Sequence, residues 1–224
     1  MKKIVIANCN EILNVIHEEL QIKYNAVGLR LKDDLNLENL NAINPDYIFF
    51  MHWSWIIPEN IYSKFNCVVF HMTDLPFGRG GSPLQNLISR GYKETKISAI
   101  KVDRGIDTGD IYIKKDLSLK GTATEIFISA GDVIKDMIAE IISNDITPVK
   151  QQGNPTYFNR RKPEQSLLNN NIKNVEDMYD FIRMLDANNY PNAFLENEMF
   201  KFEFTNAQVI NDTELTAHVR IIKK

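Results

Sequence analysis

The chain has 224 residues, 44% of them apolar and 25% charged, enough to bury a core without disulfide or metal staples. A formal net charge of -3 gives no bulk positive field for phosphate backbones or acidic lipid surfaces, so generic nucleic-acid and membrane binding are excluded at this level. An aromatic content of 10% excludes a disordered chain, which would lack the apolar area to offset its ordering entropy.

The apolar run Ile4 to Ala7 follows Met1-Lys2-Lys3 and stops at Asn8. It is too short for the core of a signal peptide and is expected as a first strand. Asn10 is placed to cap a helix carrying Ile12, Leu13, Ile16 and Leu20 at helical spacing. Ala26 to Leu31 predicts a second strand, and Leu35 to Ile43 a short helix. Tyr47 to Met51 and Asn66 to Phe70 are continuous apolar runs of the kind buried on both faces of a parallel sheet. The longest apolar tract, Tyr47 to Ile57, is broken by His52 and Ser54 and is too short to span a bilayer. Cys9 and Cys67 are the only cysteines and belong to no metal-ligand spacing, so no metal and a cytoplasmic location are expected.

Further on, Ser82 and Pro83 suit the start of a helix running to Arg90, with Gly91 beyond its end. This helix start together with Arg79 offers a place for an anion. Lys96 to Val102 and Ile111 to Lys115 flank the turn Asp103-Arg104-Gly105-Ile106-Asp107-Thr108-Gly109-Asp110 as a strand pair. Thr122 and Glu125 form a capping box ahead of a helix whose stripe Ile126, Phe127, Ala130, Val133, Ile134, Met137, Ile138 and Ile141 is core. Residues 144–174 are polar and read as a linker and lid, carrying the basic patch Arg160-Arg161-Lys162. Asn174 caps a helix with an inner face of Met178, Phe181, Ile182 and Leu185, and Phe200 to Phe204 and Leu215 to Ile222 are strand runs. The expected architecture is α/β: a Rossmann-like parallel-sheet core over 1–150 and a small α+β C-terminal subdomain over 151–224. A homodimer is compatible with the terminal strand runs.

Ligands of parallel sheets bind beyond the carboxyl ends of the strands, which directs attention to Asn8 to Asn10, His52 to Trp55 and His71 to Asp74. The first βα turn holds no Gly-x-Gly-x-x-Gly, and no Gly-x-Ser-x-Gly, His-Glu-x-x-His or Walker loop occurs. His71 is a candidate for proton work, or a histidine that only bonds its loop. Asp107 is a carboxylate able to orient His71, or a turn residue bonding its own backbone. The two tryptophans in His52-Trp53-Ser54-Trp55 wall a pocket for a planar heterocycle or serve as buried anchors.

An apolar strand ending in His71, then Leu75-Pro76, Arg79-Gly80 and Pro83, and about one strand later Gly105-Ile106-Asp107-Thr108-Gly109-Asp110, resembles the formyltransferases that use 10-formyltetrahydrofolate. Gly80-Gly81-Ser82-Pro83, Phe158-Asn159-Arg160-Arg161-Lys162-Pro163-Glu164 and Tyr190-Pro191-Asn192-Ala193-Phe194 look most like compact sugar-nucleotide members of the pseudaminic-acid pathway type. The resemblance implies a formyltransferase with a folate formyl donor, catalytic His71 and Asp107, and a folate site of Met51, His52, Trp53, Ser54, Ile56, Pro58, Asp103 and Ile106. It further implies that the amine of a sugar nucleotide lies across Thr73, Asp74, Arg79, Gly81, Ser82, Pro83, Gln85, Arg160 and Arg161. A tRNA formyltransferase is the alternative, disfavoured by the net charge and the absence of a long basic C-terminal domain. The family's Asn two residues before the His is Val69 here. Loss of such an oxyanion donor typically costs roughly a hundred- to a thousandfold in rate, and leaves a catalytically impaired binding protein as a further reading.

Overall fold

The computed structural model describes residues 2–169, 172–188 and 190–224. Strand β1 (Ile4–Asn8) is buried throughout, and the Asn10 side chain accepts from Ile12 N at 3.0 Å to open a 3-10 turn that runs into α1 (Asn14–Tyr24). Strand β2 is shorter than expected, Val27–Leu29, because Asp34 Oδ2 accepts from both Arg30 N and Leu31 N and draws the backbone into a turn. Helix α2 (Leu37–Ile43) is capped by Asn36, and β3 (Tyr47–His52), α3 (Glu59–Tyr62) and β4 (Cys67–His71) follow.

These strands make one six-stranded sheet in the order β2-β1-β3-β4-β6-β7, with β6 (Glu94–Lys101) and β7 (Ile111–Ser118). Pairing is parallel from β2 through β4 and antiparallel between β4 and β6. Ile48, Phe49 and Phe50 are at most 2% exposed; full burial of such a side chain contributes roughly 1.5–3 kcal/mol. In α5 (Ala123–Asn144), Thr122 N donates to Glu125 Oε2 at 2.8 Å and Glu125 N to Thr122 Oγ1 at 3.3 Å, as the capping box requires. The Thr122 N–H and then its hydroxyl, both donating to Glu125 Oε2, hold that carboxyl below its ordinary value. No helix among the described residues is long and apolar enough to cross a membrane.

The chain forms two compact units, one of residues 1–80, 95–117 and 127–157, the other of 81–94, 118–126 and 158–224. The division therefore does not fall at residue 150. Residues 151–157 stay with the first unit, where Val149 bridges Ile111 and Thr156 N donates to Pro76 O. In the second unit α4 (Pro83–Ile88) is shorter than expected and ends before Gly91, whose φ of +79° suits glycine. Ser82 holds the N-cap position, with its carbonyl accepting from Asn86 N, but it is left-handed at φ 50° and its side chain makes no capping bond, since Oγ accepts from Arg161 N instead.

Helix α6 (Val175–Arg183) starts where Asn174 Oδ1 accepts from Asp177 N. Its inner face includes an ion pair that the apolar pattern does not announce. Arg183, 3% exposed, reaches Asp180 Oδ1 at 2.6 Å and donates to Leu119 O and Gly121 O. An antiparallel sheet ordered β11-β10-β9 closes the unit, with β9 (Ala193–Glu196), β10 (Phe200–Asn211) and β11 (Glu214–Lys223). The last two outrun the expected runs because Asn211 Oδ1 caps the turn through Thr213 N, carrying the pairing to Asn211 and Glu214.

Candidate functional site

His71 ends β4 and is 7% exposed. Its Nε2 lies 2.7 Å from Gly78 O; a carbonyl only accepts, so Nε2 carries the hydrogen. Nδ1 is then left facing Asp107 Oδ2 at 3.4 Å. Asp107 sits in the left-handed region at φ 54°, and its Oδ2 also accepts from Gly80 N at 2.9 Å. One carboxylate therefore fixes both the imidazole and the glycine-rich loop.

The loop carrying Asp107 is held from two sides. Gln151 Nε2 donates to Asp107 O at 2.8 Å and Gly109 O at 2.9 Å. At Gly109 a Cβ would fall 1.6 Å from Lys101 O, so the backbone lies flush on β6. Asp103 Oδ1 accepts from Gly105 N and Thr108 Oγ1, which closes the turn.

The segment after His71 is equally constrained. Thr73 Oγ1 donates to Gly78 O, Ser98 Oγ to Thr73 O at 2.7 Å, and Gly78 N to Thr156 Oγ1 at 2.7 Å. Arg79 grips Gln151 Oε1 with Nε and Nη2 and reaches Tyr157 OH with Nη1. It is thus paired to a carboxamide rather than held ready for an anion. Asp74 pairs with Lys114. Gln151 and Thr156 are the residues that sequence reasoning missed: both stand in the polar stretch read as linker, whose composition carries no signal of long-range bonding.

Among the expected folate residues, Met51 is 3% exposed and belongs to the core. His52 meets the Phe127 ring edge-on at 6.0 Å, and Trp53 packs T-shaped on Trp55 at 4.9 Å and on Phe50 at 5.7 Å. Trp53 Nε1 is buried without a hydrogen-bond partner. Ser54 Oγ lies 3.5 Å from Cys9 Sγ. Trp53, Trp55, Ile56 and Pro58 line a cavity of about 240 Å³ with Leu35 and Asn36, and Ile56 and Ile106 are 90% and 73% exposed. Trp53, Val69 and Val102 pack against one apolar cluster. Burial pushes the Cys67 thiol up to about 12.

The remaining expected residues belong to the second unit. Gly81 N donates to Phe158 O, and a Cβ at Gly81 would fall 2.5 Å from Arg160 Cβ. Pro83 opens α4. Gln85 is 2% exposed and donates to Met184 O, a scaffold role in place of the expected substrate contact. Arg161 lies over the Phe181 ring at 5.9 Å and donates to Gln165 O; burial pulls its pKa down. Arg160 is exposed.

Residues 7–130 match the Formyl transferase family, and residues 163–222 match the family described as Methionyl-tRNA formyltransferase, C-terminal domain. The methionyl-tRNA formyltransferase of Clostridium botulinum is 30% identical over 177 residues, covering 75% of this chain and 56% of that protein. The chain thus spans little more than half the length of that curated relative. Among solved structures, the methionyl-tRNA formyltransferase from Clostridium thermocellum is 49% identical with a TM-score of 0.96, covering 100% of both chains. HypX from Aquifex aeolicus in complex with tetrahydrofolic acid has a TM-score of 0.75 at 15% identity, over 92% of this chain and 38% of that one, which shows the fold alone. The likeness along the whole Clostridium thermocellum chain and the match to the C-terminal domain overturn the expectation of a sugar-nucleotide acceptor. They equally overturn the exclusion of nucleic acid as a partner: net charge is a sum over the whole chain, whereas recognition is local.

Proposed function

Because the chain belongs to the formyl transferase family, we propose that it moves a formyl group from 10-formyltetrahydrofolate to the amino group of methionine carried on tRNA. The observation that carries this reading is the His71–Asp107 pair at the end of β4, in a chain 49% identical over its length to a methionyl-tRNA formyltransferase. The tryptophan loop suits a flat, partly polar heterocycle: it offers aromatic faces, an exposed Ile56 and the unpartnered Trp53 N–H.

In the transfer, the amine nitrogen bonds to the formyl carbon, the bond from that carbon to folate N10 breaks, and a proton passes from the amine to N10. The hydrogen on Nε2 is committed to Gly78 O, so the Nδ1 lone pair of His71 is the acceptor for the amine proton. The Asp107 carboxylate beside Nδ1 stabilises the imidazolium so formed. Gly80 N and Gln151 keep that carboxylate and its loop in position before substrate arrives.

The test is incubation of the chain with 10-formyltetrahydrofolate and methionyl-tRNA, following tetrahydrofolate and formylmethionine together. Equal release of both is expected, with none from uncharged tRNA. Failure to formylate while both ligands bind overturns the enzymatic reading and selects a second one, a binding protein without turnover. That reading rests on Val69, which sits in β4 beside Phe50 and Ile100 where the family's amide is expected.

A further inference from the structure

Two acceptors compete for the hydrogen of His71. Gly78 O stands 2.7 Å from Nε2, and Asp107 Oδ2 stands 3.4 Å from Nδ1. Either oxygen can take the one N–H of a neutral imidazole, and whichever does so leaves the lone pair on the opposite nitrogen. A carboxylate is the stronger acceptor at equal distance. At 3.4 Å, however, Asp107 Oδ2 is outside the usual span of an N–H···O bond, and it already accepts from Gly80 N at 2.9 Å. The hydrogen therefore stays on Nε2 only while Gly78 O is held in place.

Gly78 alone does not hold its carbonyl. It is buried, its φ is +72°, and it has no side chain to resist rotation of the peptides on either side. Turning the Gly78–Arg79 peptide over would present the Arg79 N–H to the imidazole in place of the carbonyl, and Nε2 would have to become the acceptor. Three bonds from one residue oppose this. Thr156 Oγ1 accepts from Gly78 N at 2.7 Å, Thr156 O accepts from Arg79 N at 2.9 Å, and Thr156 N donates to Pro76 O at 3.2 Å. Both peptides that flank Gly78 are thus tied to Thr156. Thr73 Oγ1 also donates to Gly78 O, at 3.4 Å, and Ser98 Oγ donates to Thr73 O at 2.7 Å. Neither of these reaches Gly78 N, so the Thr156 hydroxyl is the partner of that buried N–H.

We propose that Thr156 is a positioning residue that sets the tautomer of His71. It keeps the hydrogen on Nε2 and away from Asp107, which leaves the Nδ1 lone pair open to the amine proton. The use made of that lone pair rests on the formyl-transfer reading, whereas the tautomer is a property of the free protein. Thr156 acts through Gly78 and His71 and touches no reacting atom.

Ring nitrogen chemical shifts of His71 in the full chain report which nitrogen carries the hydrogen, at alkaline pH where free imidazole is neutral. The resonances are identified by their loss in His71→Gln. The wild type should carry the hydrogen on Nε2. Thr156→Val keeps the shape of the side chain but removes the acceptor for Gly78 N, and should move the hydrogen towards Nδ1, where Asp107 accepts it. Thr156→Ser restores the hydroxyl and should return the wild-type shifts. In the transfer assay Thr156→Val should lower kcat by about 10–100-fold, with KM for both substrates near the wild-type value, and Thr156→Ser should recover it. Hydrogen on Nδ1 in the wild type, unchanged shifts in Thr156→Val, or an altered tautomer with unaltered kcat each overturns the proposal. A wild type that makes no formylmethionine, yet holds its hydrogen on Nε2 and loses it from there in Thr156→Val, overturns the proposed reaction and upholds the tautomer assignment. Should Thr156→Val prove unfolded by circular dichroism, Thr156→Ala, which deletes the same oxygen, replaces it in both arms.

Discussion

The surroundings of His71 and the terminal sheet are built on opposite plans. Around His71 the hydrogen bonds join residues far apart in the chain: Gly80 and Asp107 are 27 positions apart, Gln151 and Asp107 44, and Gly78 and Thr156 78. In the terminal sheet the pairing joins neighbours through a tight turn, and much of its apolar surface stays in solvent. Geometry in the first region is over-determined by polar bonds, as preorganised chemistry demands. The second region is paired between chain neighbours, is interrupted by a bulge between Thr205 and Gln208, and leaves apolar side chains in solvent. One region is fixed by polar bonds across long chain separations, and the other by backbone pairing between neighbours.

Four measurements break or sharpen this contrast. Asp107→Ala removes the carboxylate shared by His71 and Gly80 N. Turnover should fall by roughly 10²–10⁴-fold, the ordinary worth of positioned acid–base chemistry, with little change in melting temperature. Unchanged kcat would sink the role given to this residue. Gln151→Ala should lower kcat by about 10–100-fold, because displacement of about 1 Å from the productive geometry costs about that much. Gln151→Glu should fail to rescue it, since a carboxylate cannot donate to Asp107 O and Gly109 O; full rescue would show that the bonds from Gln151 Nε2 are dispensable.

In the second unit, Arg183→Met strands the buried Asp180 carboxylate with only Lys93, 3.3 Å away, as a partner. Denaturant unfolding should report a loss of about 3 kcal/mol with formyl transfer intact in the folded fraction. The smallest effect belongs to His17, fully buried beside Arg30, where burial and then the Arg30 charge pull the pKa down from 6.5 to about 4. The folded state favours neutral imidazole, so this contribution is complete above pH 6.5. It declines as pH falls towards 4 while the unfolded chain takes up the proton, by at most about 3 kcal/mol. His17→Leu should flatten the stability profile between those pH values, and an unaltered slope would exclude His17 as its source.

Much of the fold is legible where one interaction dominates. The runs at β3 and β4 are legible as unbroken apolar segments, and the stripe on α5 by its helical period, with Phe127 and Val133 at its half-buried margin. His71 and Asp107 are legible as a pair through the resemblance of their motifs, and the structure brings them within 3.4 Å. Gln151 and Thr156 are not legible, since their value arises from bonds to residues more than forty positions away and a polar stretch looks alike whether solvated or bonded. Ser82 has the right identity for a cap, but Arg161 N claims its hydroxyl. The acceptor is not legible, because whole-chain charge and the tail motifs carry no information on local recognition.

Gly109 shows how little matter decides whether the candidate site assembles. Its missing side chain is all that lets the Asp107 turn settle against Lys101 O. Gly109→Ala adds one methyl group, deletes no donor, acceptor or charge, and leaves every reactive atom in the protein. It nevertheless has to lift the turn and with it the carboxylate. The proposed reaction should therefore be silenced by Gly109→Ala with its full chemical inventory in place, which separates having the candidate groups from having them aligned.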